Sequence, residues 1–262
     1  MKGEWIPNLF KRVVDRSLPF SEAFEFILWR IGRKKSHLEI EGLSFQDVDR
    51  ILWGLIANIF INREYSPCGF EIGPNDTVID IGAHKGVFVG FASKRTSNLI
   101  TAIEPDPENF KHLENFVRDN KIENVKLKKI AVDIKSGNTT LYLAQSSSRN
   151  TILGADQLSG DPLIESIRVK ALSLSDLLSS FTTVDFLKMD CEGAEVDILT
   201  SAGDETIRKI KCLVAEVHWK GRDNLLEPLK ERLARIYHNV IFVKTSANLG
   251  IIYASFEKEN SR

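Results

Sequence analysis

The sequence has few of the residues that crosslink a chain or bind structural zinc. Its 262 residues include three cysteines, Cys68, Cys191 and Cys212, and no two of them stand in a CxxC pair. This spacing argues against a zinc ribbon or a disulfide framework and fits a reducing compartment. We therefore expect a cytoplasmic protein.

Long apolar runs are also missing. The longest, ILWGLIANIFI at 51–61, is too short to span a bilayer and contains Asn58. The start, MKGEWIPNLFKRVVDRS, lacks the uninterrupted apolar core of a secretory signal. We expect a soluble chain without a transmembrane segment.

Neither sign of charge is in excess, because 35 basic and 36 acidic residues give a formal net charge of −1. Such a balance does not support binding to nucleic acid through bulk electrostatics, although it leaves room for a local basic patch. The first forty residues do lean basic, and the patch would comprise Lys11, Arg12, Arg16, Arg30, Arg33, Lys34 and Lys35. These residues form either a solvated helix face or a contact surface for an anionic substrate or a membrane surface.

The pattern of the chain changes near residue 70. Residues 1–69 mix apolar and charged positions at helix-like spacing, and Ser21 and Ser44 are candidate N-caps. We predict an N-terminal helical extension, or cap, over 1–69 and a catalytic domain over 70–262. With 43% hydrophobic residues, the chain is long enough to bury one sizeable core.

From Gly73 onward, short β-branched runs alternate with amphipathic helical stretches. The runs are TVIDIG (77–82), LITAIEP (99–105), VKLKKIAV (125–132), VDFLKMD (184–190) and CLVAEVHW (212–219), and the longer helical stretches cover 105–120 and 193–210. Buried strands that alternate with helices predict a parallel sheet. The terminal runs at 239–244 and 251–258 leave no room for a helix and must pair antiparallel. TTLYLAQ and SIRVKAL predict a further pair of strands between Asp133 and Leu174.

Acids and glycines follow the first two strands of this predicted sheet. VIDIGAHKGVF places Asp80, Gly82 and Gly86 where ligands bind in open α/β sheets. Gly82 permits a tight turn, and Gly86 lets the next helix begin close to a ligand. The DxGxHxG spacing is not the GxGxxG of dinucleotide-binding proteins, which disfavours an NAD-dependent oxidoreductase. Glu104 ends the second strand, where an acid either accepts ribose hydroxyls or caps the following helix.

Two later segments carry further acids. Asp133 follows the third run, where it either reaches an adenine amino group or opens the turn in DIKSGN. KMDCEGAE holds Asp190, Glu192 and Glu195 within six residues. Glu195 fits the first turn of a helix as a cap, whereas a strand-end pair such as Asp190 and Glu192 is poorly explained by packing.

The strand after these acids adds Glu216 and His218, which project to the same face because residues i and i+2 of a strand do so. Two mechanisms stay open for this set. In one, a carboxylate or His218 accepts the proton of a hydroxyl. In the other, Asp190, Glu216 and His218 hold a divalent metal ion.

Other residues near these motifs have two interpretations each. His84 either touches the ligand or hydrogen-bonds backbone, and Trp219 either lines the acceptor site or packs. Cys191 is interpreted as a small buried side chain rather than a nucleophile. The loop SSSRNT (146–151), with Arg149, either binds substrate oxygens or is an ordinary loop.

VIDIGAHKGVF and AIEPDPENFKHLENFVRDN resemble the cofactor half of class I S-adenosylmethionine-dependent methyltransferases. More narrowly, VDFLKMDCEGAEVDIL (184–199) and LVAEVH (213–218) resemble the FkbM family, and SSSRNT resembles a serine-containing segment of that family. The resemblance covers about residues 70–255. It implies an α/β, Rossmann-like fold with a mostly parallel seven-stranded sheet and an antiparallel C-terminal hairpin.

The resemblance also implies a function and a set of residues. It implies O-methylation of a hydroxyl on a sugar, lipid or secondary metabolite, with S-adenosylmethionine as cofactor and Asp80 facing its cationic methionine end. The cofactor contacts would be Asp80, Gly82, Ala83, His84, Gly86, Glu104, Pro105, Asp133 and Asp190, and the catalytic candidates Asp190, Glu192, Glu216 and His218.

Two other functions remain open at this point. One is RNA methylation, with the basic N-terminal helices as the landing surface. The other is a non-catalytic module that binds the cofactor. The Asn/Asp-Pro-Pro-Tyr motif of many N-methyltransferases is absent after VDFLKMD, which argues against methylation of a base amino group. Nothing in the sequence indicates an oligomeric state.

Overall fold

The computed structural model describes residues 36–154 and 161–256, together with residues 7, 8, 11, 23 and 27. Several sequence predictions therefore lie outside the described residues: the N-cap at Ser21, most of the helices before residue 36, and the basic residues Arg12, Arg16, Arg30, Arg33, Lys34 and Lys35. Within the described residues, no helix is long and apolar enough to cross a membrane.

A short antiparallel hairpin, and not a helix, begins the continuous part of the chain. Its strands are β1 (His37–Ile40) and β2 (Leu43–Gln46). In both strands, buried apolar residues alternate with more exposed ones, which is the period of a strand. The prediction of helix over this stretch is wrong, because four residues are too few for the helical and strand periods to be told apart in the sequence.

The helix that follows begins later than predicted. Ser44 lies in β2 and caps nothing, whereas the carboxylate of Asp49 accepts a hydrogen bond from the Leu52 N–H at 2.7 Å. The helix α1 (Arg50–Ile56) starts there and runs directly into a π-helical turn, Ala57–Ile61. The N-cap prediction at Ser44 is therefore wrong by five residues.

The part of the chain after residue 70 contains ten strands and six further α-helices among the described residues. The strands are β3 (Val78–Ile81), β4 (Ile100–Ile103), β5 (Val125–Lys128), β6 (Ala131–Asp133), β7 (Gly137–Ala144), β8 (Leu163–Ser173), β9 (Val184–Met189), β10 (Ile210–His218), β11 (Asn239–Ser246) and β12 (Leu249–Ser255). The helices are α2 (Val87–Ser93), α3 (Pro107–Asp119), α4 (Leu174–Leu177), α5 (Glu195–Ser201), α6 (Asp204–Ile207) and α7 (Asp223–Ile236).

Seven of these strands form one sheet in the order β5–β4–β3–β9–β10–β12–β11. The five strands from β5 to β10 run parallel, and β12 is antiparallel to both β10 and β11. The predicted mostly parallel seven-stranded sheet with an antiparallel C-terminal hairpin is confirmed. The strand order reverses between β3 and β9, so the chain leaves a crevice at the carboxyl ends of these two strands.

A second sheet of three strands, in the order β6–β8–β7, lies beside the first. The predicted pair of strands between Asp133 and Leu174 is confirmed, because β7 and β8 pair antiparallel. The single strand predicted over 125–132 is instead two, β5 and β6, and each joins a different sheet.

Apolar side chains cover both faces of the central sheet. On one face, the hairpin, α1 and α2 contribute an aromatic cluster that includes Phe45, Phe60, Phe88 and Phe91. On the other face, α5 and α7 pack on β9, β10 and β12. The segment before residue 70 thus shares a core with the sheet, while the exact domain boundary stays a prediction.

Candidate active site

A cleft opens at the carboxyl ends of β3, β4 and β9, where the strand order reverses. It holds about 720 Å³ of space, part of it open to solvent. We call it the strand-end cleft; its lining includes Leu55, Gly82, His84, Ile103, Glu104, Pro105, Asn109, Ile130, Val132, Ser147, Ser148, Asn150, Asp190, Cys191 and Glu192.

Glu104 is the buried acid of the strand-end cleft. Its two oxygens accept hydrogen bonds from the backbone N–H groups of His84 at 2.7 Å and Asp106 at 3.0 Å. Burial raises its pKa to about 7, although these two N–H groups oppose the shift. Because each carboxylate oxygen can accept more than one hydrogen bond, Glu104 can tie the two turns together and still bind hydroxyls in the cleft. The helix that follows is capped by Asp106, whose side chain accepts from the Glu108 N–H, so the capping interpretation of Glu104 is wrong.

Asp80 is fully buried and forms an ion pair with a lysine of the neighbouring strand. Its side chain is fully buried, and the residues that line the strand-end cleft do not include it. Its Oδ1 lies 3.0 Å from the Nζ of Lys188 on the neighbouring strand, and Lys188 also donates to the carbonyl oxygen of Gly82 at 2.7 Å. The carboxylate of Asp80 thus pairs with Lys188, and the expectation that Asp80 faces the methionine end of the cofactor stays a prediction.

Burial governs the charge of this pair. Burial raises the pKa of Asp80 to about 6 in spite of the nearby ammonium group. Burial alone would lower the pKa of Lys188, but the carboxylates of Asp80 and Asp190 raise it overall. Lys188 thus stays charged beneath the cleft, 3.9 Å from the Oδ2 of Asp190.

Gly82 and Gly86 each allow another segment of the chain to approach the backbone closely. A Cβ on Gly82, which has a φ of +79°, would lie 1.7 Å from the carbonyl oxygen of Asp190, so only glycine lets the turns after β3 and β9 meet. A Cβ on Gly86 would meet Leu113 and Phe116 of α3. Gly86 therefore makes room for α3, and its role next to a ligand stays a prediction.

Two other expected cofactor contacts are not among the residues that line the strand-end cleft. Ala83 is buried, and its backbone N–H donates to Ile103. The Oδ1 of Asp133 accepts from the backbone N–H of Ile134 at 2.7 Å, and Asp133 lines another surface pocket. Asp133 therefore opens a turn, which was one of its two interpretations.

His84 and the loop at 146–151 meet across the strand-end cleft. The Nε2 of His84 lies 3.2 Å from the Oγ of Ser147, and Asn109 donates to the Ser147 carbonyl oxygen. Burial lowers the pKa of His84 to about 3, so its imidazole is neutral. Ser147, Ser148 and Asn150 line the cleft, whereas Arg149 forms an ion pair with Asp161 at 3.3 Å.

A second opening adjoins the first, and we call it the outer cleft. Its lining is Arg50, Ile51, Gly54, Leu55, Asn58, Glu64, Tyr65, Ser148, Asp190, Glu192, Glu216, Thr245, Leu249 and Ile251. Asp190 and Glu192 belong to both clefts, and Glu216 lies in the outer one. Trp219 lines neither; it packs against Phe242 with ring centroids 5.6 Å apart.

Tyr65 connects two of the predicted acids. Its hydroxyl oxygen lies 2.7 Å from the Oε2 of Glu216 and 3.0 Å from the Oδ2 of Asp190. Burial and then Asp190 raise the pKa of Glu216 to about 8, although the Tyr65 hydrogen bond opposes the shift. The same two causes raise the pKa of the neighbouring Glu64 to about 7. Glu216 and Glu64 therefore hold protons at neutral pH.

His218 lies among three glutamates. Its Nε2 is 3.5 Å from Glu192 and 4.0 Å from Glu216, and its Nδ1 is 3.5 Å from Glu195. Burial alone would lower the pKa of His218, but the carboxylates of Glu195 and Glu192 raise it to about 10. An imidazolium cannot accept a proton, so of the two bases considered, the carboxylate fits this geometry.

Glu195 lies in the first turn of α5, as expected, but its side chain binds the turn before the helix and not the N-cap residue Ala194. Its oxygens accept from the backbone N–H groups of Cys191 at 2.7 Å, of Gly193 at 3.1 Å and of His218 at 3.3 Å. Burial alone would raise the pKa of Glu195, but His218 and these N–H groups lower it. The neighbouring Cys191 is half-buried and lines the strand-end cleft, and burial raises the pKa of its thiol well above the ordinary value, which does not favour a nucleophile.

A metal-binding set exists here, but it differs from the predicted one. Ligand atoms of Asp190, Glu195 and His218 lie within 4.8 Å of one another, so Glu195 takes the place that we expected for Glu216. Both oxygens of Glu195 already accept backbone hydrogen bonds. The divalent metal remains a prediction.

Three residues of the site were missed in the sequence. Lys188 had a signal, because a lysine in the buried strand β9 needs a partner of opposite charge. Glu64 and Tyr65 had none: they precede the sheet by more than ten residues, and only the tertiary fold brings them to Asp190 and Glu216.

Comparison with known proteins places the chain in a family. The family model described as Methyltransferase FkbM domain matches residues 80–236, which is more than half of the chain. The 31-O-demethyl-FK506 methyltransferase FkbM of Streptomyces tacrolimicus is 27% identical over 191 residues, covering 63% of this chain and 74% of that protein. Methyltransferase 1 of Beauveria bassiana is 25% identical over 194 residues, covering 65% and 70%. A solved S-adenosylmethionine-dependent methyltransferase from Aquifex aeolicus is 14% identical, with a TM-score of 0.43 and coverage of 79% and 93%.

Proposed function

Because the chain belongs to the FkbM methyltransferase family and is an S-adenosylmethionine-dependent methyltransferase, we propose that it methylates a hydroxyl oxygen of a small acceptor. The acceptor would be a sugar, a lipid or a secondary metabolite. One observation carries the proposal: Asp190 and Glu192 line both clefts, so a carboxylate stands where a cofactor and an acceptor would meet.

The residues of the strand-end cleft fit S-adenosylmethionine. Glu104 has lone pairs left for ribose hydroxyls, and Ile103, Ile130 and Val132 give an apolar wall for a flat base. The Oδ1 of Asp190 is a buried atom that has no hydrogen-bond partner among the described residues. When bound, the cofactor supplies an electrophilic methyl group.

The chain's own residues would then handle the hydroxyl proton. Asp190 offers the unpartnered Oδ1 as proton acceptor, at the junction of the two clefts. The His218 imidazolium, 3.5 Å from Glu192, orients that side chain toward the junction. Lys188, held by Asp80 and Gly82, fixes the position of Asp190 from below and keeps a positive charge near its Oδ2. Asp80 thus acts through Lys188.

The two alternative functions, RNA methylation and non-catalytic cofactor binding, have less support. The outer cleft presents Glu64, Asp190, Glu192 and Glu216, and among the described residues that line it only Arg50 is basic. Such a surface does not suit the phosphates of RNA. A non-catalytic cofactor-binding module would not need a carboxylate cluster shared by both clefts.

The segment before residue 70 fits the role of a cap over the acceptor. Leu55, Asn58, Glu64 and Tyr65 all line the outer cleft and all belong to this segment. We expect these residues to select the acceptor, because they line the outer cleft together with Leu249 and Ile251 of β12.

The proposal is tested by transfer of labelled methyl from S-adenosylmethionine into fractionated host extract, with and without EDTA. Label in a glycan, lipid or small-molecule fraction supports it, and its loss with EDTA would support a metal. Asp190→Asn should abolish this transfer and leave affinity for S-adenosylhomocysteine within a few-fold, with Asp119→Asn, on the exposed face of α3, as the matched control. Label in RNA would overturn the proposal.

A further inference from the structure

Asn58 and Glu64 are two polar residues of the outer cleft that the methyl-transfer chemistry does not use. Both side chains line the cleft, and both residues are half-buried. An amide and a carboxyl that lose contact with water cost free energy unless other polar groups replace the water. The pair is therefore a candidate for contact with the acceptor.

The backbone places Asn58 and Glu64 next to each other. The π-helical turn Ala57–Ile61, directly after α1, carries its apolar side chains into the core. The backbone N–H of Glu64 then donates to the carbonyl oxygen of Asn58 at 3.1 Å, so the chain returns to the start of the turn. Insertions of this kind into helices are frequent at functional sites.

The backbone of Glu64 is fixed on both sides. Arg63, directly before it, has a φ of +57°, a left-handed conformation that persists only where the surrounding contacts determine it. The hydroxyl of Tyr253, on β12, donates to the carbonyl oxygen of Glu64 at 2.7 Å. Both the N–H and the C=O of Glu64 are thus bound, and its position does not depend on a ligand.

Asn58 is the polar end of an otherwise apolar helix face. Ile51, Leu55 and Asn58 all line the outer cleft, and their spacing of four and three residues places them on one side of a helix. Apolar side chains bind the carbon skeleton of a ligand but distinguish poorly between a ligand with a given hydroxyl and one without it. Selection for a hydroxyl therefore needs polar groups such as Asn58 and Glu64.

The side chains of Asn58 and Glu64 are hydrogen-bonded to each other. Burial and the charge of Asp190 raise the pKa of Glu64 to about 7, and a hydrogen bond from the Asn58 side chain opposes the shift. This bond uses one of the two amide N–H groups and one of the two carboxyl oxygens. The second N–H and the second oxygen can each contact a ligand.

A hydroxyl fits this pair of groups better than a charged group does. Its oxygen can accept from the amide N–H while its proton is donated to the carboxyl oxygen. An ammonium group has no lone pair for the N–H of Asn58. A phosphate would be repelled by the carboxylates that line the same cleft.

We propose that Asn58 and Glu64 bind a second hydroxyl of the acceptor, on the carbon next to the hydroxyl that is methylated, so that the acceptor is a vicinal diol. The proposal rests on the proposed function, because it takes Asp190 as the position of the reacting hydroxyl. The two positions are close, since Tyr65 follows Glu64 in the chain and its hydroxyl lies 3.0 Å from the Oδ2 of Asp190. A second hydroxyl held there determines which oxygen of the acceptor faces the methyl group.

Periodate treatment of the host extract tests the class of acceptor, because periodate cleaves the carbon–carbon bond between neighbouring hydroxyls. The extract is oxidised, the excess periodate is quenched with ethylene glycol, and the full chain is added with labelled S-adenosylmethionine. The control extract receives periodate that has already been quenched. Label should be transferred in the control and lost in the oxidised extract, and equal transfer in both would overturn the proposal.

Substitution of the pair tests the residues, with dilutions of the active, unoxidised extract fraction as the source of acceptor. Asn58→Ala and Glu64→Ala should each raise the acceptor concentration at half-maximal rate about 10-fold, through the loss of a hydrogen bond. The maximal rate should stay within a few-fold, because the second hydroxyl is bound equally before and during methyl transfer. Affinity for S-adenosylhomocysteine should be unchanged. Unchanged half-saturation in both variants would overturn the proposal.

Asn62→Ala is the matched control. Asn62 ends the same turn and is not among the residues that line either cleft, and its amide donates to the Oδ1 of Asn58 over a long 3.4 Å. Half-saturation should be unchanged in this variant, and a shift equal to that of Asn58→Ala would assign the effect to the turn and overturn the proposal. A methylated amine as product would overturn the proposed function, whereas periodate sensitivity with the shift in Asn58→Ala would still support the second hydroxyl.

Discussion

At the scale of single residues, the site is a set of charges held at close range inside the protein. Lys188 and His218 are the cations, and each is surrounded by carboxylates. Burial alone would lower the pKa of both, yet the carboxylates raise them overall. The cluster is therefore stable only as a whole, and removal of one member leaves a charge without compensation.

Lys188→Met should destabilise the fold by about 3–5 kcal/mol, because it leaves the buried carboxylate of Asp80 without its partner. Urea unfolding measures the loss, and the double variant Asp80→Asn/Lys188→Met should recover part of it. The control is Lys211→Met, which breaks an exposed pair with Asp185 and should cost at most about 1 kcal/mol. Equal costs in Lys188→Met and Lys211→Met would contradict the prediction.

The raised pKa values also predict how stability depends on pH. The pKa of Glu216 is raised from 4.5 to about 8 and that of His218 from 6.5 to about 10. Between about pH 6.5 and 8 the folded state holds both protons more tightly than the unfolded state, so the free energy of unfolding should fall as pH rises. Urea titrations across this range measure the slope.

Glu216→Gln should flatten that slope, because it removes one of the two groups. Glu227→Gln is the control, since Glu227 is an exposed residue of α7 that pairs with Lys230. The same slope in wild type and Glu216→Gln would show that Glu216 does not hold its proton in this range.

At the scale of elements, the site depends on turns that bring strand ends together. Gly82 and Asp190 follow β3 and β9, and the absence of a Cβ at Gly82 lets the two turns touch. In β1 and β2, the two-residue alternation of buried and exposed side chains could be recognised only once the structure showed which residues lie in the core. Long alternations and strand-end acids could be predicted, whereas short hairpins and close turns could not.

Gly82→Ala should abolish cofactor binding, because its Cβ would lie 1.7 Å from the Asp190 carbonyl oxygen and force the two turns apart. Gly221→Ala is the matched control: its φ of +74° is similar, but a Cβ there has no heavy atom within 4 Å. The control should lose only the cost of a left-handed backbone, about 1–2 kcal/mol. Calorimetric affinity for S-adenosylhomocysteine and thermal unfolding compare the two, and equal behaviour would refute the close-approach argument.

At the scale of the whole molecule, the sheet, the segment before residue 70 and the second sheet meet around two adjoining clefts. The strand-end cleft is bounded by β3, β4, β6 and β9 and by the loop at 146–151. A ligand in it would contact elements far apart in sequence, so its binding should stabilise the entire fold.

S-adenosylhomocysteine at 100 times its dissociation constant should raise the free energy of unfolding by about 2.7 kcal/mol, through preferential binding to the folded state. Glu104→Ala should abolish this increase, because the cleft loses the acid that we assign to the ribose hydroxyls. Glu108→Ala, an exposed acid of α3, serves as the control and should retain it. An undiminished increase in Glu104→Ala would remove the basis for that assignment.

From Gly73 onward, the sequence by itself determined most of the order of strands and helices, the antiparallel end and the family, because those follow from local periodicity and from short motifs such as KMDCEGAE. It also placed Asp190, Glu192, Glu216 and His218 at neighbouring strand ends. Only the tertiary structure decided that Asp80 pairs with Lys188, that Gly86 admits α3, and that Tyr65 joins Asp190 to Glu216. Those facts depend on side-chain packing between segments distant in the chain, for which a single sequence has no local signal.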